Sequence, residues 1–285
     1  MNLPAFPKAT ETWHSRAYPS IDPQRPELSQ RGNVVCITGG GGTIGKAIAL
    51  AFAQAGAHIA LLGRRLELIE AARTEIETAV RGVTIQSVQC DIADAESVDK
   101  AFAKVKQTLG PIDITICCAG AMAPWKPLVS ADAQRWWQSY EVNVRGAFNC
   151  VRTHAKYAAP SSILVDVSTG LVHLPAIPTA SAHTSSNLAA TKVYETFGAE
   201  SPQVQVVHIQ PGAIASESAL KTGTGYAGSD NRESPVFIIA PTLHASLTAF
   251  QRICLQVSQS GCAVQKANFC AARASICGQT GTWMS

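Results

Sequence analysis

The chain lacks the long apolar segments that would mark a membrane protein. Its 285 residues contain no stretch that approaches the roughly 20 apolar side chains needed to span a bilayer. The N-terminal segment MNLPAFPKATETWHSRAYPS also lacks the apolar run of a secretory signal. We therefore expect a cytoplasmic protein that has no membrane partner.

Charge of either sign is scarce. Charged residues form 15% of the chain and leave a net charge of +3, which is too small and too scattered for a nucleic-acid surface. Hydrophobic residues form 46%, so the chain can fill a packed core and disorder is not expected. The length fits a single α/β domain, and we expect no nucleic-acid partner.

The cysteine patterns typical of metal sites and disulfide frameworks are missing as well. The nine cysteines include no Cys-x-x-Cys pair and no grouping with histidine at metal-ligand spacing, so we expect no metal site. Cys36, Cys90, Cys117 and Cys118 lie in or beside apolar runs, where a thiol acts as a small apolar side chain. We predict that the cysteines are reduced.

Strand-like and helix-like segments alternate from residue 34 to about 212, and no period typical of repeat proteins recurs. The apolar runs predict strands at 34–38, 58–62, 84–89, 113–118, 162–167 and 204–209. The segments between them predict helices at 44–55, 65–79, 95–108, 132–157 and 183–198. This alternation predicts an α/β fold with a doubly wound parallel sheet in a single domain.

A run of four glycines separates the first predicted strand from the first predicted helix. The strand VVCIT leads into the turn TGGGGTIG, which is followed by the helical segment KAIALAFAQAG and a second strand, HIALLG. A turn without side chains lets backbone N–H groups approach a pyrophosphate at a helix N-terminus, where the helix dipole favours negative charge. The pattern therefore predicts a dinucleotide site.

Four motifs, in this order, resemble those of the short-chain dehydrogenases/reductases over about residues 30–228. They are TGGGGTIG (38–45), CCAG (117–120), NVRG (143–146) and PGAIASES (211–218), with Thr43 where the family usually has a glycine. The resemblance implies a Rossmann fold, a nicotinamide cofactor and oxidoreductase activity. The segment DPQRPELSQRG (22–32) resembles fungal members, which implies a place in fungal secondary metabolism.

The resemblance also implies which residues contact the cofactor. Asp91 matches the aspartate that accepts a bond from the adenine amino group, and Arg152 matches a basic residue near the adenine ribose, with a surface ion pair as an equal alternative. The remaining implied contacts belong to the turn, to the end of the fourth strand and to the Pro-Gly loop: Gly39, Gly42, Thr43, Ile44, Gly45, Ala119, Gly120, Pro211, Gly212, Ile214 and Ser216.

Charge after the second predicted strand favours NADP(H) over NAD(H). An NAD site usually offers a carboxylate there to the ribose 2′-hydroxyl, whereas this chain reads Leu62-Gly63-Arg64-Arg65. Arginines can pair with a 2′-phosphate through charge-assisted hydrogen bonds. The alternative is that Arg64 and Arg65 are solvated residues at a helix start.

The family's catalytic group is a tyrosine, a lysine four residues later, and an upstream serine and asparagine. Ser168 and Asn143 match the serine and asparagine, which would orient the substrate. His183 and Asn187 stand at the tyrosine and lysine positions. Because these two positions are four apart, they still share one side of a helix. Tyr194 and Lys192 cannot replace the motif, because they are reversed in order and only two apart.

Two interpretations of His183 stay open. An imidazole with an ordinary pKa of about 6.5 needs no lysine to act as an acid, so His183 could donate a proton while Asn187 bonds the nicotinamide ribose. Loss of both residues also fits a pseudoenzyme that only binds NADP(H), or a cofactor-bound cyclase-like protein. His173 is a spare acid candidate, and no basic group is near enough in sequence to activate Cys117 or Cys118 as a nucleophile.

We expect an NADP(H)-dependent reductase for a carbonyl or imine of a small metabolite, within residues 32–228. Residues 1–31 are rich in proline and predict an extended arm on the surface or in a partner subunit. Residues 229–285 have little charge and no sustained period. The codons required for their last residues, GQTGTWMS, can encode the ending of many fungal relatives when they are read one nucleotide out of phase. We therefore expect that this region comes from a shifted reading frame. A homo-oligomer is expected if this region folds.

Overall fold

Parallel strands form the centre of the fold in the computed structural model. The structure describes residues 19–211, Ile214, Ser216, and the backbone of 235–239 and 263–266. The parallel strands are β1 (Val34–Thr38), β2 (His58–Gly63), β3 (Ile85–Gln89), β4 (Ile112–Cys117), β5 (Ala158–Val167) and β6 (Gln205–Gln210). The sheet continues with β7 (Pro235–Ile239), which runs antiparallel to β6, and β8 (Ala263–Lys266), which runs parallel to β7.

Helices connect the parallel strands. They are α1 (Thr43–Gln54), α2 (Leu66–Ala79), α3 (Ala95–Leu109), α4 (Ala133–Tyr140), α5 (Gly146–Tyr157) and α6 (Ser181–Glu200). Among the residues that the structure describes, no helix combines the length and apolarity needed to cross a bilayer. The order β3-β2-β1-β4-β5-β6 reverses direction between β1 and β4, which is the place where doubly wound sheets bind ligands. The predicted α/β architecture is confirmed.

Alternate residues of each strand enter two separate apolar layers. In β1, Val35 and Ile37 pack with α1 and α2, whereas Val34 and Cys36 pack in the layer that contains Phe102 of α3. Both faces of the sheet are covered, which explains why the strands appear in the sequence as continuous apolar runs. The described cysteines, Cys36, Cys90, Cys117, Cys118 and Cys150, are free thiols, and all but Cys118 are fully buried.

Two expectations about the elements are corrected. The segment predicted as one helix at 132–157 is divided by a π-helical turn, Glu141–Arg145. The side chain of Asn143 in this turn bonds the backbone of Ala121, and π turns of this kind often occur at functional sites. Residues 19–31, predicted as part of an arm, instead pack on the domain: Ile21 is fully buried and the Gln30 N–H donates to the Ala55 carbonyl at 2.8 Å.

The glycine turn brings backbone segments together that no larger residue would allow. A Cβ on Gly45 would lie 2.3 Å from the carbonyl oxygen of Gly39, and a Cβ on Gly39 would lie 2.9 Å from the Cα of Ala119. Gly39 also has a φ of +69°, in the left-handed region. These contacts place the N-terminus of α1 directly beside the end of β4.

Gly45→Ala is expected to destabilise the fold, because its new methyl group meets backbone atoms that cannot move aside. Overpacking of this kind costs about 1–3 kcal/mol. Gly42→Ala is the matched control, since its nearest atom, the Gly39 carbonyl oxygen, would lie 3.3 Å from the new Cβ. Urea unfolding of the two variants measures the difference. Equal stability would contradict the packing described here.

His154 is a buried histidine with polar partners inside the core. Its Nδ1 lies 2.8 Å from Thr115 Oγ1 and its Nε2 lies 2.9 Å from Ser162 Oγ. Burial lowers the pKa of His154 to about 4, because the charged imidazolium would be removed from water. The neutral ring therefore ties β4 and β5 to α5.

The lowered pKa of His154 makes stability depend on pH. The unfolded chain binds this proton more readily than the folded one, so stability is lost as the pH falls from about 6.5 towards the folded pKa. We expect the His154 contribution to fall by about 2 kcal/mol between about pH 7 and about pH 5. Unfolding free energies of wild type and His154→Gln should therefore converge as the pH falls. Parallel curves would show that His154 does not titrate in this way.

Candidate active site

The site lies at the carboxyl ends of β1 and β4, where the glycine turn begins. Thr38 Oγ1 accepts hydrogen bonds from the N–H groups of Cys118 and Ala119, at 3.1 and 3.2 Å, and so ties the two strand ends together. Ala119 and Gly120 follow directly and border the turn. The chain therefore forms one continuous backbone surface at the switch point of the sheet.

The residues of the turn fit a dinucleotide. Gly42 and Thr43 are exposed at the start of α1, and Ile44 is half-buried against the core. The first N–H groups of a helix have no partner within it, and no side chain of Gly39, Gly42 or Gly45 covers them. This surface can approach a pyrophosphate closely, as the sequence predicts for a nicotinamide dinucleotide.

Residues at the ends of β2 and β3 border the same side of the sheet. Arg64 is exposed, its carbonyl accepts from Gln89 Nε2 at 3.0 Å, and its guanidinium has no ion pair with any residue of the described part. Arg65 is also exposed and precedes α2. The Asp91 carboxylate accepts from the Ala93 N–H at 3.0 Å. The arrangement leaves Arg64 available to an anion.

The remaining predicted cofactor positions lie on α5 and in the Pro-Gly loop, of which the structure describes only a part. Arg152 is exposed on α5, where its guanidinium lies over the Phe148 ring at 5.5 Å, and both of its predicted roles stay predictions. In the Pro-Gly loop, Pro211 is buried and Ile214 packs on the apolar layer of α1. The Ser216 N–H donates to the Ile214 carbonyl. Gly212 lies outside the described residues.

Asn143 acts as a brace within the protein. Its Oδ1 accepts from the Ala121 N–H at 2.8 Å, and its Nδ2 donates to the Ala121 carbonyl and to Ser186 Oγ, both at 2.9 Å. Both amide hydrogens are therefore used. These contacts give Asn143 a structural role, in which it joins the loop after β4 to α6, and its role in orienting the substrate stays a prediction.

His183 and Asn187 lie one turn apart on α6, as the spacing predicts. Asn187 Nδ2 lies 3.3 Å from His183 Nδ1 and donates to the His183 carbonyl at 2.7 Å. With Nδ1 accepting from the amide, the ring hydrogen of His183 is on Nε2. Burial lowers the pKa of His183 below its usual 6.5. At neutral pH the ring is therefore mostly neutral, which weakens the predicted role as a proton donor.

The Ser168 hydroxyl is hydrogen-bonded to Thr191 and not to His183. Its Oγ lies 3.2 Å from Thr191 Oγ1, and no hydrogen bond among the described residues joins it to His183. Thr191 in turn donates to the Asp166 carboxylate, which also contacts His208. Sequence reasoning missed Asp166, Thr191 and His208. The signal available was a single ionisable residue in each of two strands, Asp166 in β5 and His208 in β6.

The remaining candidates are not activated. Burial raises the pKa of Cys118 to about 12, so this thiol is protonated at neutral pH and is no nucleophile. Burial also lowers the pKa of the spare candidate, His173. Lys192 is exposed and pairs with Glu195, whereas Tyr194 is buried. The described residues contain no cluster that could hold a metal ion.

Comparison with known proteins agrees with this geometry. The family model described as short chain dehydrogenase matches residues 33–226. The chain is 31% identical over 254 residues to the short chain dehydrogenase pigC of Monascus ruber, covering 85% of this chain and 80% of that protein. It is 32% identical over 226 residues to mpl6 of Monascus purpureus, with 75% and 76% covered.

Solved structures show the same fold. Levodione reductase is similar with a TM-score of 0.65 at 21% identity, covering 71% of this chain and 80% of the other. An alcohol dehydrogenase from the archaeon Thermococcus sibiricus, complexed with 5-hydroxy-NADP, gives 0.60 at 26% identity, with 64% and 77% covered. With its glycine turn, strand order and matched motifs, the chain belongs to the short-chain dehydrogenases/reductases, a family of oxidoreductases.

Proposed function

We propose that this chain is an NADP(H)-dependent reductase whose substrate is a small metabolite with a protonated imine. The observation that carries the proposal is the pair His183 and Asn187, where the family has tyrosine and lysine. His183 is half-buried with a lowered pKa, and Asn187 carries no charge. The site therefore offers little acid at neutral pH, which suits a substrate that already carries its proton.

Arg64 supports the preference for NADP(H). Its exposed guanidinium follows β2, where an NAD site usually offers a carboxylate, and it has no ion pair within the described residues. A 2′-phosphate would gain a charge-assisted hydrogen bond there.

The chemistry balances without an enzyme acid. The nicotinamide, when bound, supplies a hydride to the iminium carbon, and the nitrogen keeps the proton that it already holds. The two hydride electrons form the new C–H bond, the C=N π pair becomes the nitrogen lone pair, and the product is a neutral amine. A ketone would need a further proton for its oxygen. His183 could supply that proton only when it is charged, below its lowered pKa.

The fungal relatives support a role in secondary metabolism. The segment DPQRPELSQRG and the matched motifs resemble fungal members of the family, and the similar Monascus proteins are named short chain dehydrogenases. A protein that only binds NADP(H) is the competing function. It would enhance NADPH fluorescence without oxidising the cofactor across imines and ketones.

Arg64→Gln is expected to weaken NADPH binding about 10- to 100-fold and NADH binding much less, because one charge-assisted hydrogen bond is lost. Isothermal titration of both cofactors measures this difference. Arg81→Gln, on the exposed turn before β3 at the other end of the sheet, is the matched control. If Arg64→Gln binds NADPH as wild type does, Arg64 does not contact the 2′-phosphate.

The role of His183 can be tested with two ring compounds of similar size, 2-methyl-1-pyrroline and cyclopentanone. We expect His183→Gln to retain pyrroline reduction at neutral pH within about threefold, since general acid catalysis is not required. Wild-type cyclopentanone reduction should rise as the pH falls below about 6.5, and this rise should be lost in the variant. Initial rates of NADPH oxidation across pH provide the measurement. A large loss of pyrroline reduction in the variant would contradict the proposal.

A further inference from the structure

A buried polar chain connects the ends of β5 and β6 to the Ser168 hydroxyl. Asp166 and His208 are aligned partners in the two neighbouring strands, and Asp166 Oδ2 lies 2.9 Å from His208 Nδ1. Thr191 of α6 covers them and lies 3.5 Å from the same carboxylate oxygen. All three side chains are more than nine-tenths buried. Of these four hydrogen-bonded residues, only Ser168, two residues after Asp166, is not fully buried.

The direction of each hydrogen bond follows from the number of hydrogens available. Burial raises the pKa of Asp166, and the hydrogen bonds from His208 and Thr191 oppose that shift. We assign the ionised form to the carboxylate, which can then only accept, so His208 Nδ1 and the Thr191 hydroxyl both donate to it. A threonine hydroxyl has one hydrogen. We assign it to Asp166, because an ionised carboxylate is a stronger acceptor than the Ser168 hydroxyl, although the contact is longer, 3.5 Å against 3.2 Å. At the 3.2 Å contact between Ser168 Oγ and Thr191 Oγ1, the donor must therefore be Ser168.

We propose that Asp166, held by His208 and acting through Thr191, turns the Ser168 hydroxyl hydrogen away from the pocket, by which we mean the side of this half-buried residue that is open to solvent, so that Ser168 meets the substrate as a hydrogen-bond acceptor. Asp166, Thr191 and His208 are thus positioning residues. In the family, by contrast, the serine that matches Ser168 donates to the carbonyl oxygen of the substrate. An acceptor at this point selects a reacting atom that carries a hydrogen.

This inference rests on the proposed function and narrows it. A protonated imine offers its N–H to Ser168 Oγ, whereas a ketone oxygen and Ser168 Oγ would face each other as two acceptors. This discrimination between imine and ketone depends on the direction of the Ser168 hydrogen bond and needs no charge on the side chain. Among the described residues, Cys118 and Tyr194 interact electrostatically with Asp166, and His173 with His208. Burial raises the pKa of the thiol and of the phenol and lowers that of the imidazole, so all three are mostly uncharged at neutral pH.

Neutron diffraction of the full chain, crystallised and exchanged into heavy water, tests the inference without any substrate. We expect the Ser168 deuterium to point to Thr191 Oγ1, the Thr191 deuterium to point to Asp166 Oδ2, and His208 Nδ1 to carry a deuterium. The Asp166 carboxylate should carry none. A Ser168 deuterium that points into the pocket, or a deuterium on Asp166, would overturn the inference.

Thr191→Val and Thr191→Ser test the consequence in solution. Valine has the shape of threonine but no hydroxyl, so it frees the Ser168 hydrogen to donate to a ketone. We expect the ratio of kcat/KM for cyclopentanone to kcat/KM for 2-methyl-1-pyrroline to rise about three- to tenfold. Serine at this position should restore the wild-type ratio. A merely structural role of Thr191 would lower both values together and leave the ratio unchanged, which would count against the inference.

The two proposals fail in different ways. If wild type binds NADPH but reduces neither compound, the proposed function fails, and the neutron positions alone decide the direction of the Ser168 bond. If pyrroline is reduced but the Ser168 deuterium points into the pocket, the reductase stands and the positioning chain is rejected.

Discussion

The site depends on one close approach of backbone to backbone. Gly45 lies over the carbonyl of Gly39, and Gly39 lies against the backbone of Ala119, with no room for a side chain at either glycine. This contact fixes where α1 begins relative to the ends of β1 and β4. The open backbone at Gly42 is placed from that point, and the Gly40 N–H, which donates to the Leu62 carbonyl, joins the turn to the strand that ends beside the exposed Arg64.

The catalytic half of the site is held by polar contacts instead. Asn143 fixes the loop after β4 to α6 through Ala121 and Ser186. The same helix carries His183, Asn187 and Thr191. The Asn143 contacts therefore fix the position of all three residues relative to the end of β4. The family's pairing of a phenol with an ammonium is gone, and the serine is bonded to a threonine. The frame of the family is kept, and the residues at its tyrosine and lysine positions differ.

The fold and the cofactor half could be predicted from the sequence, because both depend on local patterns. Four glycines between a strand and a helix have few other structural uses, and apolar runs separated by amphipathic segments define a covered parallel sheet. The spacing of His183 and Asn187 was also sufficient to place them on one side of α6. The pKa of His183 was not predictable, because burial depends on what packs around the helix.

The polar chain behind Ser168 could not be predicted for a related reason. Asp166 and His208 are 42 residues apart, and only the alignment of β5 with β6 makes them neighbours. The alignment of β5 with β6 depends in turn on this pair. A slip of β6 by one residue along β5 would turn His208 to the opposite face and leave the Asp166 carboxylate buried without its partner, at a cost of several kcal/mol. The pair that orients one hydroxyl group therefore also excludes misaligned pairings of the two strands during folding.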